Sequence, residues 1–327
     1  MFASDPLSLS QQAICYGLHQ AAYTLHNLYA ARIARLPSNA SLINLMLSCE
    51  CLRNDKDKDK DKDKDNTMIQ NLFDLTGRVA LITGGNGGIG LGMTEGLAAQ
   101  GCEVAIWGTN AEKNAAALAT LKAYGPRVSA RVCNVADRSD VESAFAETLE
   151  EHGRIDGCFA NAGVGGRADA FDAMTQDEWD RILGVNLNGV FYVYQCATRH
   201  MKARAANGDA FGRLIGTASL AAISGQAKGE HYAATKGGLI SMAKALAVEY
   251  ARYGVTAHTI LPGWIETAMT ESTFAWDRFV ENVMPRIPMR RWGTGEDFAG
   301  IAVYIMSDAS RYHTAETFLI DGGYANF

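Results

Sequence analysis

Short apolar segments alternate with longer amphipathic segments from residue 79 to residue 320. The short segments have the length and apolar character of buried strands, and the longer ones repeat apolar residues at helical spacing. The predicted strands are 79–83, 103–107, 128–133, 155–160, 213–217, 255–261 and 317–320. The predicted helices are 89–100, 112–124, 139–152, 177–203, a segment that begins near Tyr232, and 297–306. Strands joined by helical crossovers predict one α/β domain, a doubly wound seven-stranded parallel sheet in three layers, α/β/α.

The turn between the first predicted strand and helix reads Thr-Gly-Gly-Asn-Gly-Gly-Ile-Gly, from Thr83 to Gly90. Glycines let the backbone approach a pyrophosphate, and the helix that follows offers its N-terminal amides to the anion. Gly85, Gly87 and Gly90 match the generic dinucleotide-binding pattern. Glycine-rich turns are common, but this one lies between a strand and a helix. It therefore predicts a dinucleotide-binding site.

The end of the second predicted strand bears on the type of dinucleotide. An acid about 20 residues after the glycine turn usually binds the adenosine ribose hydroxyl of NAD. Here the strand is followed by Gly108, Thr109 and Asn110, without an acid. Such a site does not repel a 2′-phosphate, and Thr109 and Asn110 are able to hydrogen-bond it. The predicted cofactor is NADP or NAD, with a weak preference for NADP.

Tyr232 and Lys236 stand four residues apart at the start of a helix-like segment. Residues i and i+4 share one face of a helix, so the ammonium is expected near the phenol. A unit charge at ~4 Å and an effective dielectric of ~20 contributes about 4 kcal/mol, which lowers a phenol pKa of ~10 by up to ~3 units. The pair is thus predicted to act as a general acid or base. A Tyr and a Lys at this spacing also occur by chance in many helices, so the pair alone leaves both interpretations open.

Five motifs in order resemble the short-chain dehydrogenase/reductase (SDR) family, over about residues 73–324. Besides Tyr232 and Lys236, they are the glycine turn at Thr83, Gly84, Gly88 and Gly90, Asn-Ala-Gly at Asn161, Ala162 and Gly163, Pro262-Gly263 followed by Thr267, and Asp321-Gly-Gly323. The sequence looks most like the 3-oxoacyl reductase and sugar dehydrogenase branches. The resemblance implies a Rossmann-like fold and an NAD(P)-dependent oxidoreductase that transfers hydride between a nicotinamide and a ketone or secondary alcohol.

The resemblance further implies a catalytic tetrad of Asn186, Ser219, Tyr232 and Lys236. Ser219 stands thirteen residues before Tyr232, as is usual in the family. Ser219 is expected to hydrogen-bond the substrate oxygen, Tyr232 to supply the proton, and Lys236 to lower the phenol pKa and bind the nicotinamide ribose. Asn186 is expected to hold a water that links Lys236 to solvent.

The residues expected to bind the cofactor come from the glycine turn, the ends of the strands and the segment after the sixth strand. They are Gly84, Asn86, Gly88, Ile89, Gly90, Thr109, Asn110, Asn134, Val135, Asn161, Ala162, Gly163, Tyr232, Lys236, Pro262, Gly263, Ile265 and Thr267. Asn134 departs from the family, which generally has Asp there to bind the adenine amino group. An amide carbonyl still accepts that bond, so a weaker adenine contact is expected.

Substrate identity is expected to lie in three segments, 163–173, 220–231 and 264–292, the last of which is predicted to be a mobile lid. The aromatic residues of the lid suit packing and substrate contact equally. Lys228, Glu230, His231 and Arg290 permit a polar or acidic substrate. A 3-oxoacyl thioester, a sugar or polyol, and a cyclic ketone all remain open.

A different function on the same fold is a non-catalytic, nucleotide-binding regulatory protein, because fold does not fix function. Such a protein would be expected to lose a member of the tetrad, and this sequence keeps all four. The family also implies a homotetramer joined through two long helices and the last strand.

Composition changes abruptly near residue 67, after a tract in which Asp and Lys alternate strictly from Asp55 to Asp65. Such a tract buries nothing and is expected to be disordered. We expect residues 1–67 to be a disordered or dispensable extension and residues 68–327 to form the SDR domain. The net charge of −6 argues against nucleic acid, and the hydropathy pattern against a membrane span. Seven scattered cysteines suggest a reducing, cytoplasmic compartment, and no metal site is expected.

Overall fold

The computed structural model describes residues 71–125 and 127–327. The prediction for residues 1–67 lies outside these residues. Within them, no helix combines the length and the apolar character that crossing a membrane requires.

Seven parallel strands form one sheet in the order β3-β2-β1-β4-β5-β6-β7. They are β1 (Val79–Thr83), β2 (Glu103–Gly108), β3 (Val128–Val132), β4 (Gly157–Ala160), β5 (Gly212–Thr217), β6 (Val255–Pro262) and β7 (Thr317–Ile320). The predicted doubly wound sheet is confirmed. Its strand order reverses direction between β1 and β4, and ligands of such sheets bind in the crevice at the carboxyl ends of the strands at this point.

Helices connect the strands and cover both faces of the sheet. They are α1 (Gly88–Ala99), α2 (Ala111–Leu121), α3 (Arg138–His152), α4 (Gln176–Leu183), α5 (Gly189–Ala206), α6 (Ala221–Ser224), α7 (Glu230–Tyr250), α8 (Glu271–Phe274), α9 (Asp277–Val283) and α10 (Ala299–Met306). The single helix predicted over 177–203 is in fact α4 and α5 separated by a π-helical turn, Gly184–Asn188. Such turns insert one residue per turn and occur frequently at functional sites.

Two hydrophobic clusters, one on each face of the sheet, form the core. Leu81 contributes to one cluster and the next residue, Ile82, to the other, because neighbouring side chains of a strand point to opposite faces. Trp107 and Phe159, on β2 and β4, are also fully buried in opposite clusters. Because helices cover both faces of the sheet, polar groups converge at its carboxyl edge, where the carboxyl ends of the parallel strands lie.

Candidate active site

The glycine turn joins β1 to α1 at the carboxyl edge of the sheet. Gly84 and Gly88 have φ angles of 65° and 51°, in the left-handed region that favours glycine. A Cβ atom on Gly90 would lie 2.1 Å from the Gly84 carbonyl oxygen, so α1 packs here only because residue 90 has no side chain. At exposed Gly87, no described atom lies within 4 Å of the Cβ position. The turn is closed towards the protein and open at Gly87, a shape that fits a pyrophosphate.

Thr267 brings a distant part of the chain against the same turn. A Cβ on Gly88 would lie 2.9 Å from Thr267 Cγ2. The segment after β6 is held in place by backbone hydrogen bonds, among them Gly263 N to Ile320 O at 2.9 Å. Two predicted cofactor segments, 84–90 and 262–267, are therefore neighbours in the fold.

A chain of hydrogen bonds leads from the glycine turn to Lys236. Asn161 Nδ2 donates to the carbonyl oxygens of Thr83 at 3.1 Å and Gly84 at 3.3 Å. Thr217 Oγ1 donates to Asn161 Oδ1 at 3.0 Å, and the Thr217 carbonyl accepts from Lys236 Nζ at 2.7 Å. We call these contacts the turn–lysine chain. They tie β1, β4, β5 and α7 together, so Asn161 acts here as a structural bridge below the turn.

Asn186 lies in the π-helical turn and is fully buried. Its Oδ1 accepts from Val164 N at 2.8 Å, and its Nδ2 donates to Val164 O at 2.9 Å. A Cβ on Gly163 would lie 3.3 Å from Asn186 Oδ1 and 3.4 Å from Lys236 Nζ, so both polar groups flank one point. The side chain of Asn186 thus fixes the start of segment 163–173. That Asn186 also holds a water linking Lys236 to solvent stays a prediction.

Ser219, Tyr232 and Lys236 come together at the carboxyl end of β5 and the start of α7. Lys236 Nζ lies 5.5 Å from the centre of the Tyr232 ring, and Lys236 is only 4% exposed. Burial lowers the pKa of the Lys236 ammonium to about 8. Burial also raises the pKa of the Tyr232 phenol, and a hydrogen bond with Ser219 opposes that shift.

The expected lowering of the Tyr232 pKa is therefore wrong for the protein without ligands. The sequence places a cation one helical turn away, but Lys236 donates to the Thr217 carbonyl, and loss of water around the phenol raises its pKa more than the hydrogen bond with Ser219 lowers it.

Two amides predicted to contact the adenosine half already have local partners. Asn110 Oδ1 accepts from Lys113 N at 2.8 Å and caps α2. Asn134 Oδ1 accepts from Ala136 N at 3.1 Å. Both side chains are exposed, and a carbonyl oxygen has a second lone pair, so each keeps limited capacity for a ligand.

Residues 264–292, which the sequence predicts to be a lid and which we call the lid, are held together by aromatic packing. Phe274 stacks on Trp292 with ring centres 4.2 Å apart, and Phe279 meets Trp264 edge-on at 4.8 Å. Trp276 is 55% exposed and lies outside these pairs. Most lid aromatics thus pack on each other, which was one of the two sequence interpretations.

The polar residues considered for substrate binding are spread over different environments. His231 is fully buried beneath segment 163–173, where a Cβ on Gly166 would lie 2.8 Å from its Nε2. Lys228 and Arg290 are exposed and have positive φ angles of 68° and 54°. His231 therefore does not share a surface with the two cations.

A family model described as enoyl-(acyl carrier protein) reductase, of the SDR family, matches residues 84–325. The 3-oxoacyl-(acyl-carrier-protein) reductase of Chlamydia pneumoniae is 35% identical over 250 residues, 76% of this chain and 97% of that protein. The gluconate 5-dehydrogenase of Gluconobacter oxydans is 34% identical over 253 residues, 77% of this chain and 96% of that protein.

The chain belongs to the short-chain dehydrogenase/reductase family. A crystal structure of gluconate 5-dehydrogenase from Burkholderia cenocepacia, in complex with NADP and tartrate, has a TM-score of 0.73 and 34% identity to this SDR protein. The match covers 79% of this chain and 98% of the Burkholderia cenocepacia chain. The predicted class is confirmed: the protein is an NAD(P)-dependent oxidoreductase acting on a small-molecule alcohol or carbonyl. The relatives are enzymes and give no support to the non-catalytic alternative.

Sequence reasoning on this SDR enzyme missed Thr217 and the π-helical turn. Thr217 is the midpoint of the turn–lysine chain, yet in sequence it looks like any strand residue. At the turn the sequence reads Gly-Val-Asn-Leu-Asn-Gly, residues 184–189, in which apolar residues still stand between the glycines and asparagines, so the turn is not apparent from the sequence.

Proposed function

We propose that this enzyme transfers hydride between NADP and a sugar acid or polyol, or the matching ketone. The observation that carries the proposal is the turn–lysine chain. It joins a turn suited to a pyrophosphate to residues suited to proton transfer, as a dinucleotide-dependent oxidoreductase requires. The relatives named gluconate 5-dehydrogenase, and the NADP and tartrate bound to one of them, support this choice of cofactor and substrate class.

The cofactor is proposed to bind along the carboxyl edge, at the residues predicted from the sequence. The open face at Gly87 and the glycine conformations at Gly84 and Gly88 leave room for its pyrophosphate. Gly108 at the end of β2 favours NADP over NAD, since no carboxylate stands there to repel a 2′-phosphate. When bound, the nicotinamide supplies the hydride in reduction and accepts it in oxidation.

The proton is proposed to move through Ser219, Tyr232 and Lys236. Ser219 donates a hydrogen bond to the substrate carbonyl oxygen, and Tyr232 transfers its phenolic proton to that oxygen as negative charge develops. Burial raises the pKa of Tyr232, so the phenol still carries its proton when the carbonyl is reduced. With a pKa of about 8, Lys236 is mostly cationic at neutral pH and favours the phenolate that remains. Asn186 holds Val164, and with it the segment that borders the substrate.

A substrate panel tests the proposal. The full-length protein is mixed with NADPH or NADH and ketones of sugar acids and polyols, 3-oxoacyl thioesters and cyclic ketones, and the nicotinamide absorbance is followed. We expect the highest kcat/KM with a sugar-acid or polyol ketone and NADPH. Turnover with 3-oxoacyl thioesters only would contradict the proposed substrate class and leave the proposed hydride transfer intact. Absence of turnover and of dinucleotide binding would reject the proposed function.

We further propose a homotetramer in the cytoplasm. Exposed apolar residues lie on both long helices and the last strand, namely Phe191 on α5, Val248 on α7 and Leu319 on β7, with Val248 83% exposed. The four cysteines of the described part, Cys102, Cys133, Cys158 and Cys196, are buried and free, which suits a reducing compartment. Light scattering checks the mass, and cell fractionation the location. A monomeric mass or a secreted protein would contradict the respective statement.

Residues 68–327 are proposed to be the working domain. The family model and the parallel sheet both lie within this range. A protein that begins at Met68 is expected to keep the melting temperature and turnover of the full chain. Loss of either would show that the first 67 residues contribute.

A further inference from the structure

The chain contains three Asn-Gly dipeptides: Asn86-Gly87 in the glycine turn, Asn188-Gly189 at the start of α5 and Asn207-Gly208 after its end. Asparagine is a thermally labile residue, and a glycine after it leaves the backbone free to bend. In the reaction that removes the side-chain amide, the backbone nitrogen of the following residue attacks Cγ of the asparagine. The state of the glycine nitrogen therefore decides which of the three dipeptides reacts.

In two of the dipeptides the glycine nitrogen already makes a hydrogen bond. Gly189 N donates to the Gly184 carbonyl, and Asn188 has helical dihedral angles, φ −65° and ψ −40°. Gly208 N donates to the Ala205 carbonyl at 3.1 Å. Attack would first have to break these bonds, and at Asn188 it would also have to unwind the start of α5.

The nitrogen of Gly87 is in a different state. It donates no hydrogen bond to any residue of 71–125 or 127–327. Gly87 is exposed, and no described atom lies within 4 Å of its Cβ position. The carboxamide of Asn86 makes a single hydrogen bond to the described residues, from Nδ2 to Asn114 Oδ1 at 2.7 Å. No backbone hydrogen bond of the described structure has to break before the Gly87 nitrogen attacks.

We propose that Asn86-Gly87 is a site of spontaneous deamidation, through which the protein without dinucleotide loses its cofactor site. The Gly87 nitrogen attacks Asn86 Cγ, the Cγ–Nδ2 bond breaks, and ammonia leaves with the proton of the Gly87 amide. Water then opens the cyclic imide at either carbonyl, which gives aspartate or isoaspartate at position 86. A bound dinucleotide covers the turn and protects it, and this part of the inference rests on the proposed function.

Both products damage the turn. Asn114 is 4% exposed and donates from Nδ2 to the carbonyl oxygens of Gly108 at 3.0 Å and Arg131 at 2.9 Å. Its two donors are thus in use, so its Oδ1 faces residue 86, and a carboxylate there meets an acceptor and loses the bond. The new charge also stands in the turn proposed for the pyrophosphate and repels it. Isoaspartate adds a further backbone carbon to a turn that is closely packed at Gly90.

Peptide mapping by mass spectrometry tests the inference. The full-length wild type is incubated at neutral and at mildly alkaline pH, with and without saturating NADP⁺, and conversion to aspartate or isoaspartate is followed at positions 86, 188 and 207. The chain unfolded in urea gives the reference rate of each dipeptide. In the folded protein without NADP⁺ we expect position 86 to convert at least about tenfold faster than the other two, because only they need local opening. Conversion should be faster at the higher pH, since the attacking nitrogen must lose its proton.

Two further measurements connect the conversion to the cofactor site. NADP⁺ is expected to slow conversion at position 86 at least about fivefold, because only the free protein reacts. The fraction of protein that binds NADP⁺ in calorimetry should fall in step with the fraction converted at position 86.

Gly87→Ala is the matched variant. The φ of −178° at residue 87 suits any residue, so the melting temperature should stay at the wild-type value. The added Cβ crowds the attacking nitrogen and restricts the backbone, so conversion at position 86 should slow at least about fivefold. Positions 188 and 207 should convert at the wild-type rate.

Three results would overturn the inference while leaving the proposed function intact. They are equal or faster conversion at position 188 or 207 in the folded protein, a Gly87→Ala protein that converts at the wild-type rate, and a folded protein whose position 86 stays intact while the unfolded chain converts. If NADP⁺ binds but does not slow conversion, protection by the dinucleotide is wrong. If the wild type binds no dinucleotide, the proposed function fails, whereas selective conversion at position 86 would still establish the deamidation site.

Discussion

The two sides of the candidate site are built by different physical means. On the cofactor side, Thr83, Asn161, Thr217 and Lys236 stand at strand ends or a helix start and are joined by short hydrogen bonds. On the substrate side, the lid is held by stacked rings such as Phe274 on Trp292. Its Met269 and Trp276 are 51% and 55% exposed.

This difference explains how one fold serves many substrates. Hydrogen bonds between buried strand ends fix directions closely, and a broken bond leaves a buried polar group without a partner. Ring stacking depends less on direction and tolerates other residues of similar volume. The cofactor side is therefore expected to respond sharply to small changes, and the lid gradually.

The largest effect is expected at Tyr232, where the two sides meet. Tyr232→Phe removes one hydroxyl and should lower kcat about 10²- to 10⁴-fold, because general acid catalysis contributes that much. The NADP⁺ dissociation constant should stay within about twofold of the wild type, since binding does not use the proton. Steady-state rates and calorimetry measure the two quantities.

Tyr194→Phe is the matched control for Tyr232→Phe. Tyr194 is buried in the core, and its hydroxyl has no hydrogen-bond partner among the described residues. The control should keep wild-type turnover. Comparable turnover in Tyr232→Phe would exclude Tyr232 as the proton donor.

The second-largest effect is expected at Lys236, and it tests whether burial of its charge lowers the stability of the folded protein. Burial lowers the pKa of Lys236 from 10.5 to about 8, which corresponds to about 3 kcal/mol of unfavourable free energy while the amine is charged. Between these two values the unfolded chain binds more protons than the folded one, so wild-type stability rises with pH there. Lys236→Met removes the buried charge and also the bond to Thr217, so its melting temperature relative to the wild type should be highest below pH 8.

The advantage of Lys236→Met should shrink as the pH approaches 10.5. Lys244→Met, an exposed lysine of the same helix, is the control and should show no such pH dependence. Thermal unfolding from pH 7 to pH 10 measures the difference. A gain that is constant over this range would show that burial of the charge is not its cause.

The third effect tests close packing in the glycine turn. A Cβ at Gly90 would lie 2.1 Å from backbone, whereas at Gly87 it would meet open space, and the φ of −178° at Gly87 suits any residue. Gly90→Ala should cost about 1–3 kcal/mol, or about 2–4 °C in melting temperature for each kcal/mol. Gly87→Ala should leave the melting temperature of the unliganded protein unchanged. Equal shifts in the two variants would refute the packing argument.

The sequence predicts the scaffold of the cofactor side better than its chemistry. β1 and β7 have the predicted ends. β1 is buried throughout, and a buried parallel strand is a continuous apolar run between turn residues. The π-helical turn was not predictable, since one inserted residue hardly alters an apolar repeat. The partial burial of Tyr232 was not predictable either, because it depends on several segments packing together.

The amides of the cofactor side show the same limit. The sequence identifies Asn110 and Asn134 as groups able to bind a ligand. It does not show that the oxygen of each is used by a nearby backbone amide, at a helix cap in one case and in a turn in the other. Asn86 of the glycine turn donates to Asn114 of α2, and only the fold brings these two residues together.

The smallest effect is expected in the lid. Phe274→Ala removes a ring stacked on Trp292, and such a pair contributes about 0.5–1.5 kcal/mol beyond the buried area. KM for the substrate identified by the panel should rise about two- to tenfold, because an unsupported lid covers the substrate less often. The NADP⁺ dissociation constant should not change. Tyr312→Ala, an aromatic residue outside the lid that is 98% exposed, is the control for loss of a ring. If Phe274→Ala weakens NADP⁺ as much as it raises KM, the lid and the cofactor side are one mechanical unit, and the distinction between them is wrong.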